Sequence, residues 1–239
     1  MNIRKHIPNT LTCVSLAFGF YACILALGGN YLGAMIAIFI ASIFDFSDGL
    51  AARVLNAYSD IGKDLDSLAD MVSFGVAPGM ILFDFIDRTQ KTIAWDNPVW
   101  GKVFLIMAFL IPVFSALRLA KFNNDKRQTI SFIGLPVPAN AIFWAPLIYT
   151  LDIALPSYPQ IPALIVLIII SCMIVISSFL LVSEIPMFSL KVKTLAWKGN
   201  ELRYILLVSA LGLIIWLGLF GITVSILLYV VLSIFNRQK

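Results

Sequence analysis

The chain has 239 residues, 60% of them hydrophobic and only 13% charged, with a formal net charge of +4 and a mean hydropathy of +0.95. A soluble domain carries about a quarter charged residues, so this composition excludes an ordinary soluble fold and points to an integral membrane protein. The basic balance comes with no nucleic-acid motif and suits a membrane surface, and the three cysteines (Cys13, Cys23, Cys172) lack metal-type spacing and read as small packing residues.

Taken in chain order, apolar stretches able to cross about 30 Å of hydrocarbon fall at 10–27, 31–54, 65–85, 103–119, 137–155, 161–182, 204–217 and 220–235. The first is long and lacks a small-residue cleavage site, so it reads as a retained helix. The expected fold class is all-α and polytopic. A six-helix core would occupy 1–183, with its chemistry at 43–75. A basic cytoplasmic segment and a C-terminal helical pair of the same membrane domain would follow over 184–239.

With the N-terminus inside, the cytoplasmic side collects Arg4, Lys5, Arg53, Lys63, Arg118, Lys121, Lys126, Arg127, Lys191, Lys193, Lys198, Arg203, Arg237 and Lys239, which is 14 of the 17 Lys and Arg. Only Arg88, Lys91 and Lys102 fall outside. That asymmetry is a positive-inside signal for cytoplasmic N- and C-termini. Trp95 and Trp100 in the outer loop read as interfacial anchors.

Of 13 acidic residues, six (Asp45, Asp48, Asp60, Asp64, Asp66, Asp70) crowd around the second and third spans. Asp45 and Asp48, spaced i,i+3, share one face near the cytoplasmic end of the second span, and Asp66 and Asp70, spaced i,i+4, share one face of the third. Asp60 and Asp64 fall in the expected loop "NAYSDIGKD" and face solvent. Two antiparallel helices would then present two carboxylates each at similar depth. Four carboxylates cannot all ionise in one dry pocket without a cation between them. Oxygen-only ligands select hard divalent ions, Mg²⁺ or Mn²⁺, and this many acids could hold two of them. Gly49, without a Cβ, lets another group approach the backbone, and Ala52 keeps the same face slim.

Asp45-x-x-Asp48-Gly49-x-x-Ala52-Arg53, eight residues, then Gly62-x-x-x-Asp66-x-x-x-Asp70 resembles the complete signature of the CDP-alcohol phosphotransferases, with eight fixed positions matched across 26 residues. The resemblance implies an integral-membrane enzyme with a six-helix core, a homodimer, opening to the cytoplasm of a prokaryotic plasma membrane. It implies displacement of CMP from a CDP-linked lipid or alcohol by an incoming hydroxyl. By the same resemblance Asp45, Asp48 and Asp66 hold divalent metal, while Asp70 is the general base and also touches the second metal. Asp48, Gly49, Ala52, Arg53 and Gly62 fall among the CDP-lipid-binding positions.

Three further stretches bear on the substrates. In "IPNTLTCVSLAFGF", Asn9 and Thr12 lie i,i+3 on one face and are placed to hydrogen-bond near the phosphates, unless Asn9 caps a helix starting at Pro8. In "FSALRLAKFN", Arg118 and Lys121 lie one turn apart; they either snorkel to lipid phosphate or receive the acceptor's carboxylate or a phosphate. "FIGLPVPANA" is a stiff, irregular helix start, tolerable only where it is buried or lines a cavity. The last two of these, together with "FGVAPG" after Asp70, resemble the phosphatidylserine synthase branch, which implies CDP-diacylglycerol and L-serine as substrates. The phosphatidylglycerophosphate and phosphatidylinositol-phosphate synthase branches remain alternatives, because their acceptors are anions too. A divalent-cation transporter is a reading from another class. It expects carboxylates spread through the membrane depth, whereas these four converge, and "AMIAIFIAS" and "GMILF" in the outer halves carry no charge.

Overall fold

The computed structural model describes residues 6–57, 59–93, 99–125, 132–188 and 200–235. Arg4, Lys5, Trp95, Lys126, Arg127, Lys191, Lys193, Lys198, Arg237 and Lys239 lie outside the described residues.

The described chain is helical almost throughout. Helices α1 (His6–Leu27) and α2 (Tyr31–Val54) form a tight antiparallel pair. Small buried residues, among them Ser15, Ala22 and Ala26 on α1 and Ala34, Ala37 and Ala41 on α2, are the means by which helices approach closely in lipid, while Gly19 receives Ser73 of the third span. The Ser15 hydroxyl donates to the Ala41 carbonyl at 3.0 Å. Gly29, at φ +71°, turns the chain, and the Asn30 side chain caps α2 by accepting from the Gly33 amide at 2.9 Å.

The third span, Ile61–Gln90, is three pieces: α3 (Asp60–Asp70), a π-helical turn (Met71–Val76) and α4 (Ala77–Gln90). Pro78 has no amide to offer the carbonyl four residues back, and the wide turn absorbs that missing bond. The Ser59 hydroxyl caps α3 by accepting from the Gly62 amide at 3.1 Å. The helix therefore starts at Asp60, and the loop expected over 56–64 shrinks to its first four residues.

The fourth span, Val99–Asn124, is broken into α5 (Val99–Met107) and α6 (Leu110–Asn124). Gly75 and Gly79, one turn apart, receive α6: a Cβ on Gly75 would meet Ser115 Cβ at 3.0 Å, and one on Gly79 would meet Pro112 Cδ at 2.9 Å. A two-residue strand β1 (Phe132–Ile133) pairs antiparallel with β2 (Pro186–Met187), Phe132 opposite Met187. Between them run α7 (Val137–Ala154) and α8 (Ala163–Val182). The irregular start of α7 is buried, as its composition demands. Gly134, at φ +78°, sits where a Cβ would meet the Leu181 carbonyl at 2.6 Å, and the Leu135 amide donates to the Leu180 carbonyl at 3.0 Å.

A hairpin of α9 (Glu201–Leu217) and α10 (Phe220–Phe235) ends the described chain. Among the described residues six helices are long and apolar enough to cross a membrane. The hairpin helices have 17 and 16 residues, so each extends only about 25 Å at 1.5 Å per residue. Gly221 brings the hairpin together, since a Cβ there would meet the Leu213 carbonyl at 2.3 Å. Side chains such as Ile215, Trp216 and Phe235 point outward, as expected of a surface solvated by lipid. The fold is that of an all-α polytopic integral membrane protein.

Candidate active site

The last three turns of α2 and the length of α3 meet at one end of the bundle. One carboxylate oxygen each from Asp45, Asp48 and Asp66 lies within 4.8 Å of the others. Asp45 is also within hydrogen-bond reach of both Asp66 and Asp70. The four expected carboxylates are thus brought together, but not equivalently. Asp48 is buried, and its Oδ2 accepts from the Thr12 hydroxyl at 2.5 Å. Asp70 stands outside the three-oxygen group, with Oδ1 buried and without a partner. Among the described residues no Lys or Arg forms an ion pair with any of the four.

Carboxylates converging without a countercharge repel one another unless a cation or protons intervene. The donors are all oxygen, and their spread is close to the ~4–5 Å separating ligands on opposite sides of a hard divalent ion. The residues present therefore fit such an ion.

A cavity of about 210 Å³ opens beside this cluster. Asn9, Thr12, Asp48, Gly49, Ala52, Gly62 and Asp66 line it, with Pro8, Ala57, Ser59 and Lys63. Asn9 lies inside α1, which already runs from His6, so it does not cap that helix. Its Oδ1 faces Gly62, where a Cβ would come within 3.0 Å. A Cβ on Gly49 would meet nothing within 4 Å, so that glycine borders open space. Thr12 faces Asp48 rather than standing free for a phosphate. Arg53 is exposed and outside the lining of this cavity. Asp64 is exposed as expected.

Helix α6 runs antiparallel to the third span. Asn123 Nδ2 donates to the Ser67 hydroxyl at 2.8 Å, and Ser115 meets Gly75. Between these contacts, Arg118 on α6 comes to the depth of Asp70. Arg118 is buried, its Nε has no partner, and its guanidinium lies over the Phe122 ring at 5.1 Å. Lys121 differs: its Nζ is ion-paired with Glu184 and donates to the Val182 carbonyl at 3.3 Å. The expected pair of anion receptors therefore separates into an uncompensated arginine and a lysine that ties α6 to the end of α8.

Some of this was not foreseen from the sequence. Ser59 and Lys63 lie only a few residues from the aspartates, yet no side-chain pattern marked them as lining residues. At the opposite end of the bundle, Asp84 is buried in the second half of the third span. It accepts from the Tyr31 hydroxyl at 2.7 Å and from Arg88 Nε at 2.6 Å. The i,i+4 spacing of Asp84 and Arg88 was the available signal. The second half of that span is therefore not free of charge just beyond "GMILF", but its acid is paired.

A model of the CDP-alcohol phosphatidyltransferase family matches residues 5–175. Among curated proteins, the chain is 37% identical over 134 residues to a CDP-diacylglycerol–serine O-phosphatidyltransferase of Bacillus subtilis, covering 56% of this chain and 70% of that one. It is 33% identical over 137 residues to a protein of the same name from Helicobacter pylori, covering 56% and 54%. A third, from Methanocaldococcus jannaschii, is 35% identical over 145 residues, covering 59% and 60%. The alignment thus spans less than two thirds of the last two relatives. All four aspartates lie within the matched region. The chain belongs to the CDP-alcohol phosphatidyltransferase family and is an integral-membrane phosphotransferase.

Proposed function

We propose that this chain transfers the phosphatidyl group of CDP-diacylglycerol to the hydroxyl of L-serine, giving phosphatidylserine and CMP. The observation that carries the reading is the convergence of Asp45, Asp48 and Asp66, with Asp70 beside them and, among the described residues, no Lys or Arg ion-paired to any. The name shared by these relatives supports the choice of donor and acceptor.

Asp45, Asp48 and Asp66 would hold Mg²⁺ or Mn²⁺, with Asp70 touching a second ion, and the metal would supply positive charge to the diphosphate. Thr12 fixes the carboxylate of Asp48 in this task. Gly49, Ala52 and Gly62, with Asn9, shape the cavity for the cytidine end of the donor. The partnerless Oδ1 of Asp70 accepts the proton of the serine hydroxyl. The hydroxyl oxygen bonds to the phosphorus that carries the diacylglycerol, the P–O–P bond breaks, and CMP leaves with the bridging oxygen. No Ser, Cys or His with an adjacent base stands in the cluster, so direct attack is preferred to a covalent intermediate. Arg118, buried without a countercharge at the depth of Asp70, receives the carboxylate of serine.

We place the site and both termini on the cytoplasmic side of a prokaryotic plasma membrane, from the distribution of Lys and Arg. The catalytic unit is residues 1–183, the hairpin beyond it is an addition, and the working form is a homodimer. The test is CMP release from CDP-diacylglycerol by purified protein with Mg²⁺ or Mn²⁺, offering L-serine, glycerol 3-phosphate and inositol phosphate separately. Release with serine alone is expected; release with another acceptor alone would overturn the choice of serine and leave the aspartate chemistry in place.

A further inference from the structure

Asn140 is the one side chain in "FIGLPVPANA" whose polar group no other part of the fold answers. It lies in the first turn of α7, is 0% exposed, and neither Nδ2 nor Oδ1 has a partner. A buried amide without hydrogen bonds is strongly disfavoured, and more so at membrane depth. It borders a cavity of about 190 Å³ between α7, α8 and α10 whose other walls are almost wholly apolar, among them Leu135, Phe143, Met173 and Val230. Ser177, also in the wall, is already engaged, donating to the Ile174 carbonyl and accepting from Trp144 Nε1. At the rim, Ile176 and Leu227 are 60% and 47% exposed, so the cavity opens sideways toward lipid.

The cavity is a built feature rather than loose packing. Helix α10 is pinned on both sides of it: the Thr223 hydroxyl donates to the Phe143 carbonyl at 3.0 Å, and the Tyr229 hydroxyl to the Phe188 carbonyl at 3.1 Å. Just beyond the end of α8 stands the Lys121–Glu184 ion pair, which marks the polar boundary. Asn140 shares the cavity wall with Ser177 and Leu180, one to two turns before Glu184, and so lies just inside that boundary, near where the ester carbonyls of a phospholipid join its headgroup to its tails. An ester carbonyl accepts from Nδ2, and a water at that carbonyl donates to Oδ1.

We propose that this cavity is a phospholipid site: one acyl chain lies between α7, α8 and α10, with its ester carbonyl on Asn140. It shares no lining residue with the cavity beside the aspartates. Its α10 wall also lies beyond the stretch matched by the family model. The lipid is a resident that joins the C-terminal hairpin to the core, not the donor substrate. The inference rests on the membrane fold alone and survives a failure of the proposed transferase reaction.

The test is native mass spectrometry of the full chain purified in mild detergent, with melting measured with and without added phosphatidylethanolamine or phosphatidylglycerol. The wild type is expected to retain a single phospholipid and to melt higher when either lipid is added. Asn140→Leu, which removes both polar atoms, and Ile226→Trp, which fills the cavity from α10, should each lower retention about tenfold. Both variants should melt independently of added lipid. Ile226→Trp keeps the test alive if Asn140→Leu does not fold. Gly49→Val, which blocks only the other cavity, should retain the phospholipid; its loss there would assign the occupant to the donor's own tails and overturn a separate site. A wild type without bound lipid, or variants that retain it and respond to added lipid as before, would also overturn the proposal by leaving Asn140 to water.

Discussion

Thr12 holds Asp48 by a 2.5 Å hydrogen bond, whereas Asp70 keeps a buried oxygen with no donor, and this difference separates what substitutions at the carboxylates should do. Asp70→Asn removes a proton acceptor and leaves the three converging oxygens in place. CMP release should fall about 10²–10⁴-fold, while Mn²⁺ still raises the melting temperature. Asp45→Asn or Asp66→Asn should abolish both responses. Full turnover in Asp70→Asn would remove it from the role of base. A Cβ on Gly49 would meet no protein atom within 4 Å, so Gly49→Val should keep the fold. Its two methyl groups enter the cavity, however, and should raise KM for the CDP-lipid at least tenfold with little change in kcat. At this scale the aspartates were legible because i,i+3 and i,i+4 spacings fix a shared helix face whatever the tertiary structure. The fates of Thr12 and Lys121 were not legible. Their partners, Asp48 and Glu184, lie 36 and 63 residues along the chain, and periodicity carries no information at that range.

The contact of α6 with the third span rests on Gly75 and Gly79, a small-x-x-x-small pair that lets Ser115 and Pro112 come within van der Waals distance. Through it α6 carries Arg118 to the depth of Asp70. Gly79→Leu should force the two helices apart, lowering stability by about 1–3 kcal/mol as overpacking does. If Arg118 receives the acceptor, the same variant should raise KM for serine more than KM for the CDP-lipid, whose cavity is lined by α1, α2 and α3. Equal changes in both would mean that α6 contributes only packing. Hydropathy located these helices well, because a bilayer forces each crossing to be long and apolar. It did not locate what interrupts them. The π-helical turn at Met71–Val76 and the break before α6 depend on which carbonyls prolines leave unpaired, and hydropathy averages over such single residues. The start of α3 was missed for a related reason: the Ser59 cap lies in a polar stretch that reads as loop until its hydrogen bond is seen.

For the molecule as a whole, two kinds of buried charge are treated in opposite ways. Asp84 is matched internally by Tyr31 and Arg88, so it needs nothing from outside. Asp45, Asp48, Asp66 and Asp70 have no such match, and they sit where α1, α2 and the third span are held together by the Thr12–Asp48 and Ser73–Ser15 hydrogen bonds. Repulsion among them therefore acts to separate the helices that form the core. A ligand that binds only the folded arrangement stabilises it by mass action, by about 2.7 kcal/mol at a hundred times its dissociation constant. Millimolar Mg²⁺ or Mn²⁺ should thus raise the melting temperature of the detergent-solubilised protein and chelation should reverse the rise, while Asp45→Asn, with one repelling charge fewer, should respond to neither. Sodium chloride at equal ionic strength should do little, because screening reaches partly buried charges weakly. The Tyr31–Asp84–Arg88 group supplies the internal control: Asp84→Asn should lower stability while leaving the size of the divalent-ion response unchanged. A protein whose melting is indifferent to divalent ions would show that the four carboxylates are neutralised by protons instead, and the metal would have to arrive with the substrate.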